Sequence, residues 1–200
     1  MGAIVVPFRG TSGKQRLSGL SPAAHERVVL AMLRDVLTAT TEVSRTVVVT
    51  ADEEGRRVAE EAGAEVVNDP GGGQSAAVAA ALGALPNDSL LIVNADVPCV
   101  GAYDLRSLLA ATPPGGIAYV ASEDGRTNAL SLPAPELFQP LYGSNSAKKF
   151  RRAAEELGVE AVAVAIPNLA DDVDTRDDLE RVGERAGPHT RATLHELHAA

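Results

Sequence analysis

Short apolar runs recur along this chain at intervals that each leave room for about one helix. Residues 3–6, 46–49, 65–67, 89–93, 117–120, 129–132 and 161–165 are rich in Val, Ile, Leu and Ala and read as strands. Between them lie helical stretches. The first runs from Ser21 to about Thr40, with Pro22 in its first turn and Val28, Val29, Met32, Leu33, Val36 and Leu37 on one face. Asp52 is placed to cap a second that runs through Ala62, and an alanine-rich third ends near Leu85. Residues 103–111, 146–157 and 175–183 complete the series. This alternation predicts an α/β protein: a three-layer α/β/α, Rossmann-like domain over residues 1–186 whose mostly parallel central sheet is covered on both faces. Residues 187–200 read as a C-terminal appendage. Such sheets bind ligands at the carboxyl ends of their strands, so the loops that follow the strands are where chemistry is expected.

Charge narrows the class of ligand. A net charge of −9 argues against a nucleic-acid partner, whose backbone requires a basic face. The loop after the first strand nevertheless carries Arg9, Lys14 and Arg16, with Gly10, Gly13 and three hydroxyls. A basic, glycine-bearing loop in an acidic protein suits a small anion held in a focused pocket. Strand, glycine loop and helix together form a nucleotide cradle, with unpaired N–H groups and a helix dipole facing the phosphates. It is not a Walker A loop, because only two residues separate Gly10 from Gly13 and Gln15 stands where the metal-binding hydroxyl belongs. The dinucleotide fingerprint Gly-x-Gly-x-x-Gly is absent as well.

No stretch approaches the roughly 18 apolar residues of a membrane span, and the N-terminus lacks the basic start and cleavage site of a signal peptide. A cytoplasmic protein is therefore expected. The one cysteine, Cys99, excludes an internal disulfide framework and a cysteine zinc cluster; it reads as core, with no basic neighbour to activate it. His195 and His198 share a helix face without a carboxylate or cysteine partner in view, which disfavours a metal site there. His25 reads as lying on a solvated helix face.

The loops after later strands carry the remaining signals. Gly71-Gly72-Gly73-Gln74-Ser75 opens the third helix, and its backbone could lie flat against a base and ribose or simply provide slack. Asp96 ends the most apolar strand, and a carboxylate at the mouth of a buried strand is costly unless a metal or cation pairs with it. Magnesium takes hard oxygen ligands, commonly one or two carboxylates completed by phosphate and water. Asp96 supplies one such ligand; Asp172 or Asp174 supplies a second, since Asp-x-Asp in extended chain puts both side chains on one face. Asp174 is equally placed to cap the helix that begins at Thr175, so capping and metal binding compete for this pair. Residues 142–146, Tyr-Gly-Ser-Asn-Ser, open another helix whose free N–H groups suit a carboxylate or phosphate, with Asn145 or Ser146 as an ordinary cap the alternative.

Taken in order, these segments resemble one family. Pro7-Phe8-Arg9 followed by Lys14-Gln15-Arg16-Leu17-Ser18 is similar to the opening of the archaeal and bacterial 2-phospho-L-lactate / phosphoenolpyruvate guanylyltransferases. Leu33-Arg34-Asp35-Val36-Leu37, Ala95-Asp96-Val97-Pro98, Gly125 to Leu130, Tyr142 to Ser146 and Asp172-Val173-Asp174-Thr175 extend the resemblance over about residues 3–180. It implies a molybdopterin-guanylyl-type (GT-A-like) nucleotidyltransferase fold and a step in making the deazaflavin coenzyme F-420. Carried over, Asp96, Asp172 and Asp174 are implied as the Mg2+ ligands. Pro7, Arg9, Lys14 and Arg16, with Gly72, Gly73 and Ser75, are implied as the nucleotide grip, and Thr127, Gly143 and Ser146 as the seat of the acceptor's carboxylate. Arg9 stands where the family has lysine, and Gly71-Gly72-Gly73 lacks the family's bulkier residue.

The implied reaction is attack by the acceptor's phosphate oxygen on the α-phosphorus of GTP, with pyrophosphate leaving. The acceptor phosphate is already ionised, so no general base is required. The work falls to charge and positioning, with Lys14, Arg16 and Asp96 as the catalytic set. Phosphoenolpyruvate is the favoured acceptor and 2-phospho-L-lactate the alternative. A nucleotidyltransferase acting on molybdopterin or a sugar phosphate, or a non-catalytic nucleotide-binding module, are the rival readings. A homodimer is left open.

Overall fold

The computed structural model describes residues 2–11, 17, 19–85 and 89–199. In chain order, strands β1 (Ala3–Pro7), β2 (Thr46–Thr50) and β3 (Glu65–Asn68) alternate with helices α1 (Pro22–Val43), α2 (Glu53–Glu61) and α3 (Gln74–Ala84). Then come β4 (Leu90–Val93), α4 (Ala102–Ala110), β5 (Ile117–Ala121), β6 (Thr127–Leu132) and α5 (Ser146–Glu156). β7 (Ala161–Ala163), α6 (Pro167–Ala170), α7 (Arg176–Val182) and α8 (Pro188–Ala199) close the chain.

Among the described residues the strands form one seven-stranded sheet in the order β3-β2-β1-β4-β6-β5-β7. It is parallel except for β6, which runs antiparallel to both neighbours. Because successive side chains alternate faces, each central strand feeds two cores. Ile4, Val6, Val48, Leu91 and Val93 join the core under α1, α2, α4 and α7. Ala3, Val5, Val47, Val49, Leu90 and Ile92 join the core under α3 and α5. Burial on both faces is why these strands read as unbroken apolar runs.

Three sequence expectations shift in detail. β6 starts at Thr127, two residues early, which puts Thr127 and Asn128 in a buried strand instead of a loop. β7 ends at Ala163, because Pro167 then opens the short helix α6 before the acidic run begins. Residues 187–200 were expected as an appendage; the described part of that segment is mostly α8, which packs along α1. Asp35, buried inside α1, accepts the N–H groups of His189 at 3.0 Å and Thr190 at 2.8 Å and so closes the start of α8. A Cβ on Gly187 would lie 2.3 Å from the Asp35 carboxyl carbon, which is why the approach requires glycine. No helix among the described residues is long and apolar enough to cross a membrane.

Candidate active site

The carboxyl ends of β1 and β4, the start of β6 and the starts of α3 and α5 surround one cleft of about 820 Å³. Its lining includes Pro7, Arg9, Gly72, Gly73, Ser75, Asp96, Thr127, Gly143, Ser146, Asp172 and Asp174, so the site residues expected from six separate segments share one cavity. Lys14 and Arg16, with Ser18, lie outside the described residues.

On the β1 side, the loop after the strand is moored to α2. Asp52 caps that helix through Gly55 N–H at 2.7 Å and accepts Thr11 N–H at 3.2 Å with its other oxygen. Gly10, at φ +89°, lies so close that a Cβ there would come within 2.7 Å of the same carboxylate. Phe8 packs into the core against Gly55, and Arg9 projects exposed at the cleft.

Across the floor, Gly71, Gly72 and Gly73 all have positive φ, at 80°, 87° and 95°, a run that side chains rarely adopt. The turn brings the start of α3 to the cleft with no side-chain cap on its N–H groups. Ser75 Oγ accepts Tyr142 N–H at 3.2 Å, joining this start to the segment ahead of α5. Asn145, the residue before α5, is left-handed at φ 55° and likewise gives no side-chain cap. Thr127 and Ser146 are buried, and their hydroxyls bond each other at 3.0 Å, clasping β6 to the start of α5.

The carboxylates meet at the far side. Val173 N–H donates to Asp96 C=O at 2.9 Å, and the Val173 side chain is fully buried in the core. Its neighbours Asp172 and Asp174 therefore turn to the opposite face, toward Asp96. One oxygen from each of Asp96, Asp172 and Asp174 lies within 4.8 Å of the others. Three hard oxygen donors at this separation, half-buried, fit a divalent cation such as Mg2+. Burial, then the nearby Asp96 carboxylate, pushes the Asp172 carboxyl up to about 6, against a lowering hydrogen bond from Asn128. A cation among these groups would reverse that penalty.

The competition over Asp174 resolves by geometry. Thr175, not Asp174, is the cap of α7: its hydroxyl accepts Asp178 N–H at 3.2 Å while Asp178 accepts Thr175 N–H at 2.8 Å. The Thr-x-x-Asp capping box was present in the sequence and identifies this cap without a structure. Burial alone would raise Asp178, but Arg181 and the Thr175 hydroxyl and N–H hold it down to about 2. Asp174 is turned to the cleft, where Arg126 Nη1 stands 3.6 Å from it and Arg126 Nε pairs with Asp124 at 2.9 Å.

Several cleft residues carried no role in the sequence reading. Gln74, Asn94 and Asn128 form a row of amides beneath the carboxylates, and Asp124 and Arg126 flank the entrance to β6. Two minor readings change. Cys99 is influenced by Arg185, although burial dominates and pushes its thiol up. His195 does have a carboxylate neighbour, Glu184 at 3.5 Å, on the exposed surface.

Comparison with known proteins follows the same line as the geometry. The sequence model of the family described as "Guanylyl transferase CofC like" matches residues 2–198. A phosphoenolpyruvate guanylyltransferase of Conexibacter woesei is 36% identical over 209 residues, covering 95% of this chain and 92% of that protein. A 3-phospho-D-glycerate guanylyltransferase of Phenylobacterium zucineum is 33% identical, covering 98% and 94%. Among solved structures, a nucleotidyl transferase from Methanothermobacter thermautotroptrophicus superposes with a TM-score of 0.61 at 18% identity, covering 97% of this chain and 98% of that one. At that identity it shows the shared fold.

Proposed function

The chain belongs to the CofC-like guanylyltransferase family, and from that premise we propose that it transfers GMP from GTP to phosphoenolpyruvate with release of pyrophosphate. The observation that carries the reading is the single cleft in which a glycine-rich helix start, a second uncapped helix start and three carboxylates converge.

In this reading the N–H groups at the start of α3, with Gly72, Gly73 and Ser75, hold the nucleotide, and Arg9 offsets negative charge on the triphosphate. Lys14 and Arg16 take the same part on the pyrophosphate side. The start of α5, with Gly143 and the Thr127–Ser146 pair, receives the carboxylate of the acceptor. Its phosphate oxygen then forms the new bond to the α-phosphorus as the bond to pyrophosphate breaks. Asp96, Asp172 and Asp174 would hold Mg2+, which when bound neutralises charge between the two phosphates. Both reactants are anions, so orientation and charge compensation lower the barrier and no side chain need take a proton. The enzyme acts in the cytoplasm, in the assembly of coenzyme F-420.

Pyrophosphate release is the test, with GTP, Mg2+ and phosphoenolpyruvate, 2-phospho-L-lactate or 3-phospho-D-glycerate supplied in turn. The 3-phospho-D-glycerate arm is included because a relative at 33% identity bears that name. Phosphoenolpyruvate is expected to give the largest kcat/KM. No release with any of the three would overturn the proposal, and a preference for phosphoglycerate would correct the acceptor.

A further inference from the structure

The row of amides beneath the carboxylates has a fixed direction. The Ala170 carbonyl can only accept, so the Asn128 nitrogen must face it, at 3.1 Å. The same nitrogen reaches Asp172 Oδ1 at 3.3 Å, another obligate acceptor when ionised. That leaves the Asn128 oxygen to receive Asn94 Nδ2 at 3.2 Å. An independent contact agrees, because Asn94 Nδ2 also lies 3.4 Å from the Thr127 carbonyl. Asn94 Oδ1 is then turned to Gln74 Nε2, at 2.6 Å. Rotating either asparagine amide would set acceptor against acceptor at two places. The backbone locks the row further, since Asn94 N–H donates to Asn128 C=O at 2.9 Å. Asn128 is 1% exposed, and a buried amide is tolerated only when its donors and acceptor are satisfied.

We propose that Asn128 is a positioning residue for the cation site: it holds the Asp172 carboxylate from behind and is itself held in register by Asn94 and Gln74. The inference rests on reading Asp96, Asp172 and Asp174 as a divalent-cation site. The row begins at Gln74, the first residue of α3, and ends at a carboxylate, so it ties the nucleotide-facing turn to the cation-facing one. Asn128 touches no reacting atom; it acts by limiting the directions Asp172 can take. Side chains placed behind metal ligands in this way commonly carry about 10- to 100-fold of metal affinity.

The experiment is Mn2+ binding to the nucleotide-free protein, followed by the loss of the free-ion signal in electron paramagnetic resonance. Asn128→Ala is expected to weaken Mn2+ binding by about 10- to 100-fold, and Asn94→Ala by less. Ser131→Ala serves as the control: Ser131 is buried in the same strand and hydrogen-bonded to Thr112 at 2.7 Å, remote from the carboxylates. It is expected to lower Tm and leave Mn2+ affinity unchanged. Wild-type affinity in Asn128→Ala would overturn the positioning role while leaving the cation site standing. Wild-type protein that binds no Mn2+ would overturn the cation site and this inference with it. If Asn128→Ala does not fold, Asn94→Ala decides by the same readout, and wild-type affinity there overturns the proposal.

Discussion

Six of the helix starts among the described residues fall into two kinds; those of α4 and α6, whose N-cap residues give no side-chain bond, lie away from the cleft and outside the comparison. Those of α1, α2, α7 and α8 are closed by side chains: Ser21 on Ala24 N–H, Asp52 on Gly55 N–H, Thr175 with Asp178, and Asp35 on His189 and Thr190. Those of α3 and α5, which line the cleft, are not closed by any side chain. At α5 backbone carbonyls meet part of the start, Gly143 C=O accepting Ser146 N–H at 3.1 Å and Gly125 C=O accepting Ala147 N–H at 3.3 Å. N–H groups that no protein group meets carry a cost, with the positive end of the dipole, unless water or an anion meets them. The closed start of α7 sharpens the contrast. It adjoins Asp174, and Asp178 satisfies its N–H groups, so this start is closed without the Asp174 side chain, which faces the cleft beside Arg126. Side chains finish four of these starts and leave the two that line the cleft unfinished.

The largest effect should come from closing an open start. Gly73→Asp puts a carboxylate at the α3 N-terminus, where it competes with the nucleotide. A fall in kcat/KM for GTP of at least about 100-fold is expected, near 2.7 kcal/mol. Gly73→Ala shares the strain of φ +95° without the charge and isolates that part. Equal losses in the two variants would break the comparison.

Opening a closed start should act on stability alone. Asp35→Ala leaves two N–H groups at the α8 start without their acceptor and should cost about 2 kcal/mol in chemical denaturation, with kcat unchanged. A large fall in kcat at constant Tm would place Asp35 in the reaction instead.

The carboxylate cluster gives a pH signature. Asp172 is pushed up to about 6 from an ordinary 3.8, so the folded state binds its proton more tightly than the unfolded chain. The associated stability is fully present below the unfolded value and is lost as pH rises from about 4 to about 6. In chelator-treated protein this should remove on the order of 1 kcal/mol after solvent screening. Added Mg2+ should raise Tm more at pH 7.5 than at pH 5. A metal-induced shift that is the same at both pH values would separate Asp172 from the cation site. Thr175→Ala, which opens the small helix α7, should cost about 1 kcal/mol in the same denaturation assay.

How much of this could be read from sequence depends on where each partner lies. The strands were legible because burial on both faces writes itself as an apolar run. Asp96 was legible because it interrupts such a run at its end, and Ser21 and Asp52 because their capping partners are three residues on. Asp174 was given to capping as readily as to metal, although the box between Thr175 and Asp178 already accounted for the helix start. Asp35 was quoted as part of a motif without a role, since its partners are 154 and 155 residues away. The amide row is the hardest case. Gln74, Asn94 and Asn128 come from three segments, their spacing has no period, and amides at loop ends are ordinary turn residues. Only the placement of β4 beside β6 makes them a row.

The contrast between the two kinds of helix start can be measured directly by backbone amide hydrogen exchange. The ligands are guanosine α,β-methylene triphosphate, whose carbon bridge prevents pyrophosphate release, with Mg2+ and phosphoenolpyruvate. Binding should slow exchange at residues 74–77 and 144–145 and leave residues 55–57 of α2 and 190–192 of α8 unchanged. Unchanged exchange at 74–77 under saturating ligand, or equal protection at all four starts, would contradict the claim that the open starts are kept for the substrates.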